Sequence, residues 1–421
     1  MKIKMPIFLS LITILMQYYC YAIFGFSAIM LAHKFFPSDE SNVIKYLKFF
    51  SVFAFAMVAR LLGATILSKI GDKYGKTYSL TIAGFAASLS NFAIVLIPGY
   101  DVIGLSAIFA LIICRMLMLA SISGELDGVR LYLTEKFPER SYLVSGFISA
   151  STQLGVLLAA FLVYLATEFS SWYYWQTNFI IGGIFGLIVC FIRSKFQESQ
   201  VFSNYKKSEE YEYFASMPIW KIFSEYKSLI LFLIIINGVM GAGYHIHIIF
   251  LGVYFKDIVQ MEIPYNIFYY NILSVSTYLI SSIFFGFIAE KYKSIQKLIF
   301  ISIALSLIMA LLNCWFLAIN SKLLFVTNLI SIFFIPAFSI SIPIYVQQNI
   351  FYGFRYRVLS ISHAIGSILI SASSPLVCTL FYQTTALANV PYVYFALLLI
   401  LILIAFIGLQ RYINSKQKII T

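Results

Sequence analysis

Lys69-Ile70-Gly71-Asp72-Lys73-Tyr74-Gly75-Lys76-Thr77 is a short charged stretch set between two apolar runs, 46–68 and 78–98. Each run matches the roughly 20 residues that a helix needs to cross the hydrocarbon core of a bilayer. In lipid, backbone N–H and C=O groups find no water, so runs of this length are read as helices. The connection between them leaves room for a tight turn and little else, and its two glycines suit one. Two antiparallel membrane helices joined by a charged turn are the unit from which the fold is read.

That unit repeats outward in both directions. Apolar runs delimit twelve spans, at 6–32, 46–68, 78–98, 104–126, 142–166, 176–193, 228–252, 265–289, 296–317, 321–344, 358–383 and 391–410. The 421 residues are 61% hydrophobic and only 11% charged, where a soluble domain carries about 25% charge. Twelve spans use about 240 residues, which leaves loops and no second soluble domain. The first run, from Pro6, is too long for the apolar region of a signal peptide and is read as a span. Cys20, Cys114, Cys190, Cys314 and Cys378 all fall in apolar segments, away from metal-ligand or disulfide spacing. The net charge of +12 is scattered singly between spans, so nucleic acid is not an expected partner. No nucleotide loop, metal-site spacing or nucleophile triad is present. We therefore expect no cofactor, no metal, no ATP-driven pump and no enzyme.

Orientation follows from Lys and Arg, which favour cytoplasmic loops. With the N-terminus inside, Lys34, Lys45, Lys48, Lys256 and Lys322 lie outside, and Arg60, Arg115 and Arg130 lie within or at the ends of spans. The other 21, from Lys2 and Lys4 through Lys293 to Lys416 and Lys418, fall inside. Both termini are expected in the cytoplasm. The longest connection separates a six-helix half, 1–193, from a second, 228–421, with a central loop at 194–227. A shift of 218 residues lays Gly71-Asp72-Lys73-Tyr74 on Ala289-Glu290-Lys291-Tyr292 and Arg193 on Arg411. The halves therefore read as a weak parallel repeat.

Gly71-Asp72-Lys73-Tyr74-Gly75-Lys76 resembles the loop signature that joins the second and third helices of the major facilitator superfamily. Residues 15–202 are similar more narrowly to its metabolite:proton symporters, which include proline/betaine, α-ketoglutarate and shikimate transporters. Gly25-Phe26, Arg60 with Gly63, Ile97-Pro98 with Ile103-Gly104, Arg115, Gly124-Glu125, and Arg193 with Glu198-Ser199 match in order. The resemblance implies an all-α fold with two pseudo-symmetric six-helix halves and a substrate site near the midplane. It implies alternating access, a bacterial inner-membrane location, a small-molecule substrate, a proton or other coupling ion, and a monomer in the lipid bilayer. The chain departs from that family where Gln17 and Cys20 replace two span-one acids, Met118-Leu119 a Gln-Gly, Ser123 a Gly, and Trp175-Gln176 a Trp-Arg pair.

Ionisable groups at membrane depth face a cavity or a partner. Arg115 is the first candidate for a substrate carboxylate, which guanidinium engages through two parallel hydrogen bonds. A structural pair or a carbonyl clamp is the other reading. Tyr18, Tyr19 and Tyr21 beside Cys20 can hold a quaternary ammonium by cation–π attraction, or form ordinary helix surface. Glu125, Asp127 and Arg130 are expected as an ion-pair network closing span four, with Glu125 also a candidate titrating group. His245 and His247, two apart, face different directions, so at most one lines a cavity and titrates there. Gly71, Asp72, Lys73, Gly75 and Lys76, with Arg60 about three turns above them, form the expected inner gate, Lys73 and Lys76 pairing with Glu125 or Asp127. The expected cargo is a zwitterion such as proline or betaine, moved with protons. The alternatives are a small organic acid, or a transporter-derived sensor that no longer moves solute.

Overall fold

The computed structural model describes residues 4–37, 56–168, 174–260, 267–292 and 294–420, and among these are helices and no strand. Eleven stretches among the described residues are helical, long and apolar enough to cross a membrane. In chain order these eleven, together with the shorter α2, are α1 (Lys4–Phe26), α2 (Val58–Tyr74), α3 (Lys76–Leu96), α4 (Leu105–Lys136), α5 (Ser141–Glu168) and α6 (Tyr174–Ser194). They continue as α7 (Lys227–Lys256), α8 (Ile267–Lys291), α9 (Ile295–Ala318), α10 (Leu323–Asn349), α11 (Tyr352–Thr385) and α12 (Val390–Ile420). α2 is the described part of the second predicted span. Residues 46–55 of that span, with Lys2, Lys45, Lys48 and Lys293, lie outside the described residues. The chain is a multi-pass, all-α membrane protein with the twelve-helix layout that its sequence predicts.

Several boundaries differ from the sequence reading. α4 does not stop near 126 but runs to Lys136, because Glu125, Asp127 and Arg130 are buried rather than solvated. α10 continues through Pro336 and Pro343 to Asn349, since an unbroken helix satisfies most backbone groups inside lipid. α12 extends past Arg411 to Ile420, a segment without Gly or Pro to stop it. The first span is not one helix over 6–32: α1 ends at Phe26, and Ala28–Phe35 follows as a separate short helix.

By its contacts the chain divides into two units, Met1–Lys136 with Ser151–Ser216 and Phe137–Ala150 with Met217–Thr421. The opening turns of α5 thus group with the second unit. In the first unit α3 and α1 pack on α6, and α2 packs on α4. The α2–α4 approach is backbone to backbone, since a Cβ on Gly63 would run into the main chain of Ala120. In the second unit α9 and α8 pack on α10, and α11 and α12 pack on α7. The start of α5 lies on α8 through facing glycines, where a Cβ on Gly146 would meet the Gly286 Cα at 3.1 Å. Large apolar side chains such as Leu62, Ile66, Phe109, Ile113 and Phe161 remain exposed, as a surface solvated by lipid tails requires.

Candidate functional site

Arg115 sits about three turns into α4 with only 1% of its surface exposed. Its Nη1 donates to the Tyr21 carbonyl at 3.1 Å, and its guanidinium lies 5.1 Å from the Tyr21 ring centroid and 4.4 Å from that of Phe24. A planar cation between two aromatic faces on α1 is a stacked cation–π arrangement. Arg60 of α2 is half-buried and within electrostatic range of both Tyr18 and Arg115. Tyr18 is half-buried and meets Tyr21 edge-on at 6.3 Å. Tyr19 and Cys20 turn the other way. The Tyr19 hydroxyl donates to the Asn178 carbonyl at 3.1 Å and the Cys20 thiol to the Gly182 carbonyl at 3.1 Å, both on α6. The predicted aromatic group is therefore divided: Tyr18 and Tyr21 lie on the side of Arg115, while Tyr19 and Cys20 join α1 to α6.

Ten residues further along α4, about three turns away, Glu125 is fully buried and takes Arg193 of α6 in a two-pronged ion pair. Arg193 Nη1 donates to Glu125 Oε2 at 2.9 Å, and Nη2 to Oε1. The same guanidinium donates to the Leu80 carbonyl at 3.0 Å and the Thr13 hydroxyl at 3.2 Å. Arg193 thus gathers α1, α3, α4 and α6 at one buried point. The sequence matched Arg193 to a family pattern but gave it no contact. The helical repeat offers no signal that residues 68 positions apart should meet. Asp127 pairs within its own helix with Arg130, at 3.6 Å.

The charged turn between α2 and α3 is tied down by Glu135 at the end of α4 and by Glu198 and Ser199 after α6. Lys76 is nearly buried and pairs with Glu135 at 3.0 Å, about ten residues beyond the Glu125 partner expected for it. Glu125 itself is engaged by Arg193, so the expected Lys–Glu125 contact gives way to these two pairs. Glu198, from the segment after α6, accepts from the Thr77 amide at 3.0 Å and the Thr77 hydroxyl at 2.7 Å. A carboxylate on the first turn of α3 satisfies an orphan N–H and complements the helix dipole. Ser199 donates to Glu135 at 2.5 Å and caps the helix Gln200–Tyr205 by accepting from the Phe202 amide at 3.1 Å. Gly71 and Asp72 are buried, Lys73 is exposed, and the Gly75 amide donates to the Gly71 carbonyl at 3.2 Å. The Tyr211 hydroxyl donates to the Lys73 carbonyl, and burial pushes the Tyr211 phenol above its ordinary range against the pull of Lys73. Turn, α4 end and central-loop segments form one knot.

In the second unit, α7 leaves the α-helical pattern at His245–Phe250, and α11 does so at Ser367–Ser371, both as π turns. The His245 Nδ1 lies 2.9 Å from the Gly241 carbonyl and 2.7 Å from the Ser371 hydroxyl. His247 is fully buried, with Nδ1 3.1 Å from the Gly243 carbonyl and its ring 4.7 Å from Phe395. The two histidines do face different surroundings, and only His245 keeps partial exposure. At the end of α8, Glu290 accepts from the Tyr142 and Leu143 amides at 3.0 Å each. The acid that the 218-residue repeat aligns with Asp72 thus caps the first turn of α5.

The family model described as "Major Facilitator Superfamily" matches residues 7–350. A "Putative proline/betaine transporter" of Staphylococcus aureus (strain COL) is 23% identical over 373 residues, covering 86% of this chain and 79% of that protein. The "Proline/betaine transporter" of Escherichia coli (strain K12) is 30% identical over 200 residues, covering 45% of this chain and 39% of its own length. Among solved structures, that of the proton:xylose symporter XylE bound to 6-bromo-6-deoxy-D-glucose superposes with a TM-score of 0.75 at 13% identity, covering 98% of this chain and 96% of that one. A bacterial homologue of the iron transporter ferroportin in an outward-facing state gives 0.70 at 14% identity, covering 95% and 98%.

Proposed function

Because this chain belongs to the Major Facilitator Superfamily, we propose that it carries a small zwitterionic solute of the proline/betaine class across the bacterial inner membrane with protons. That it is a multi-pass membrane transporter follows from the family; the solute, the coupling and the location are our reading. The names of its relatives in Staphylococcus aureus and Escherichia coli support the solute class. Arg115 carries the reading in the molecule. It supplies one fixed positive charge at membrane depth, flanked by the faces of Tyr21 and Phe24. A carboxylate suits the guanidinium, and the half-buried ring of Tyr18 beside Tyr21, which Arg115 does not occupy, would offer a quaternary ammonium an aromatic face.

Transport would proceed by alternating access, with both termini in the cytoplasm. The turn Gly71–Lys76 and Arg60 would form the inner gate. Asp72, and Glu290 through its cap on α5, would hold one conformation and release it in the other. Glu125, Asp127, His245 and His247 are the groups at membrane depth that could respond to protons. Arg60 favours a second reading. A second cation within electrostatic range of Arg115 would suit a dicarboxylate.

Accumulation of labelled proline or glycine betaine by proteoliposomes of the purified protein tests the proposal. Uptake above protein-free vesicles that excess unlabelled solute abolishes is the expected result. No accumulation of either solute, with a dicarboxylate taken up instead, would move the assignment to the organic acid. A protein that carries none of them would be a sensor rather than a carrier.

A further inference from the structure

The interior of the second unit is almost without formal charge. No Asp, Glu, Lys or Arg occurs at 228–255, 270–289, 323–349, 358–385 or 390–410. Those stretches make up the depth of α7, α8, α10, α11 and α12, the helices that pack around α7. Three histidines, His245, His247 and His363, are then the side chains there whose ordinary titration falls near neutral pH. His247 is sealed between Phe395 and Tyr392 with no exposed surface. His245 is placed otherwise. It stands where α7 and α11 cross, and the crossing is unusually close. A Cβ on Gly238 would meet the Gly366 carbonyl at 2.9 Å, and one on Gly366 or Gly241 would collide with the Ile234 carbonyl or the Ser371 hydroxyl.

Both helices switch to π turns at this level, and π turns within α-helices are concentrated at functional sites. The Gly241 carbonyl can only accept, so its 2.9 Å contact requires Nδ1 of His245 to carry a proton. The Ser371 hydroxyl, at 2.7 Å, then accepts from the same N–H. Both contacts survive when the ring gains a charge, so the proton that comes and goes is the one on Nε2. Titratable neighbours among the described residues include Tyr244 on the same helix, its ring 6.1 Å away, and Tyr278 of α8, 5.4 Å from Tyr244. Neither ring is acidic enough to compete near neutral pH.

We propose that His245, oriented by Ser371 and the Gly241 carbonyl at the paired π turns of α7 and α11, is the proton-binding site that couples this transporter. The assignment rests on the secondary-transport reading above and selects one group from those that could respond to protons. Ser371 is a positioning residue. The crossing also gives the proton a mechanical outlet, since a charge on His245 changes the electrostatics at the point where two helices touch through glycine backbones.

The test uses the full-length protein and the variants His245→Asn and Ser371→Ala. Asn keeps an N–H for the Gly241 carbonyl but has no titrating nitrogen. In proteoliposomes, an imposed gradient of about one pH unit supports at most about tenfold accumulation for one proton per solute. Wild type is expected to accumulate labelled proline or glycine betaine toward that limit. His245→Asn should equilibrate without accumulating, yet retain solute counterflow, which needs no net proton movement. Ser371→Ala should keep counterflow and shift the pH profile of uptake. Gradient-driven accumulation in His245→Asn, loss of counterflow together with accumulation, or an unmoved profile in Ser371→Ala would overturn the assignment. A solute-independent arm separates this failure from failure of the functional reading. The chain has four histidines, so histidine-selective 15N NMR resolves them individually. The His245 ring is expected to change protonation between about pH 5 and pH 8. A ring that stays in one form across that range would sink the proposal even if the solute were something else.

Discussion

Arg193 and Glu125 meet with both guanidinium Nη atoms on both carboxylate oxygens, and neither residue exposes more than 1% of its surface. They lie 68 positions apart, on α6 and α4, and the pair also holds α1 and α3 through Thr13 and the Leu80 carbonyl. A buried pair of this kind offers little net stability over a well-packed apolar pair, but half of it is costly to leave behind.

The first prediction follows from that asymmetry. Arg193→Met alone should lose about 3–5 kcal/mol by stranding Glu125, visible as a sharp fall in melting temperature of the detergent-solubilised protein. The double variant Arg193→Met/Glu125→Leu should recover most of the loss. Equal damage in single and double variants would mean that the carboxylate is not the group being stranded.

The second concerns the turn. Gly75 has φ +112° and ψ 152°, a region in which other residues are strained by about 1–3 kcal/mol. Its missing Cβ is also where the Glu198 carboxylate reaches Thr77. Gly75→Ala should therefore destabilise more than Gly104→Ala, where φ is +58° but no heavy atom lies within 4 Å of the added Cβ. Equal melting temperatures for the two variants would show that the Glu198 cap contributes nothing.

The spans were legible because lipid imposes one rule on every backbone, and apolar length reports it. The turn Gly71–Lys76 was legible because few residue types fit a charged, tight connection. Partners were not. The sequence points Lys76 to Glu125 or Asp127 because the apolar run of span four ends at those first charges. Those charges are buried and the helix runs on to Lys136, which carries Glu135 to Lys76. Likewise Ala289-Glu290-Lys291-Tyr292 reads as a degraded copy of the turn, yet Glu290 caps α5. A cap depends on which helix end arrives, and sequence spacing does not encode that.

The third prediction addresses the inner gate. Asp72→Ala and Glu290→Gln change helix-end electrostatics and leave apolar spans untouched, so membrane insertion and yield should match wild type. Glu290 caps the first turn of α5, and a charged cap on a helix N-terminus is worth about 0.3–1 kcal/mol at an exposed site and up to ~2 in a partly buried one. Initial transport rates should fall several-fold or more in each variant. Wild-type rates at equal expression would remove both acids from the mechanism.

The last prediction bears on the cargo. Arg115 is the cation at membrane depth that lies between two aromatic faces, with its Nη1 on the Tyr21 carbonyl. The depth of α7 to α12 offers no second Lys or Arg, since Lys291, Lys297, Lys322, Arg355 and Arg357 fall at span ends and Arg411 follows the apolar run 391–410. A dicarboxylate would bring two negative charges and depend on Arg60 for the second, whereas a zwitterion needs one carboxylate partner and an aromatic face. Arg115→Lys keeps the charge but loses the planar fork, so it cannot hold the Tyr21 carbonyl, stack on the rings and grip a carboxylate together. Transport should fall by at least about tenfold, the equivalent of ~1.4 kcal/mol, with expression unchanged. Excess proline or glycine betaine should block labelled uptake by the wild-type protein. If α-ketoglutarate or another dicarboxylate competes better than every zwitterion tried, Arg60 and Arg115 act as a pair and the cargo is an organic acid.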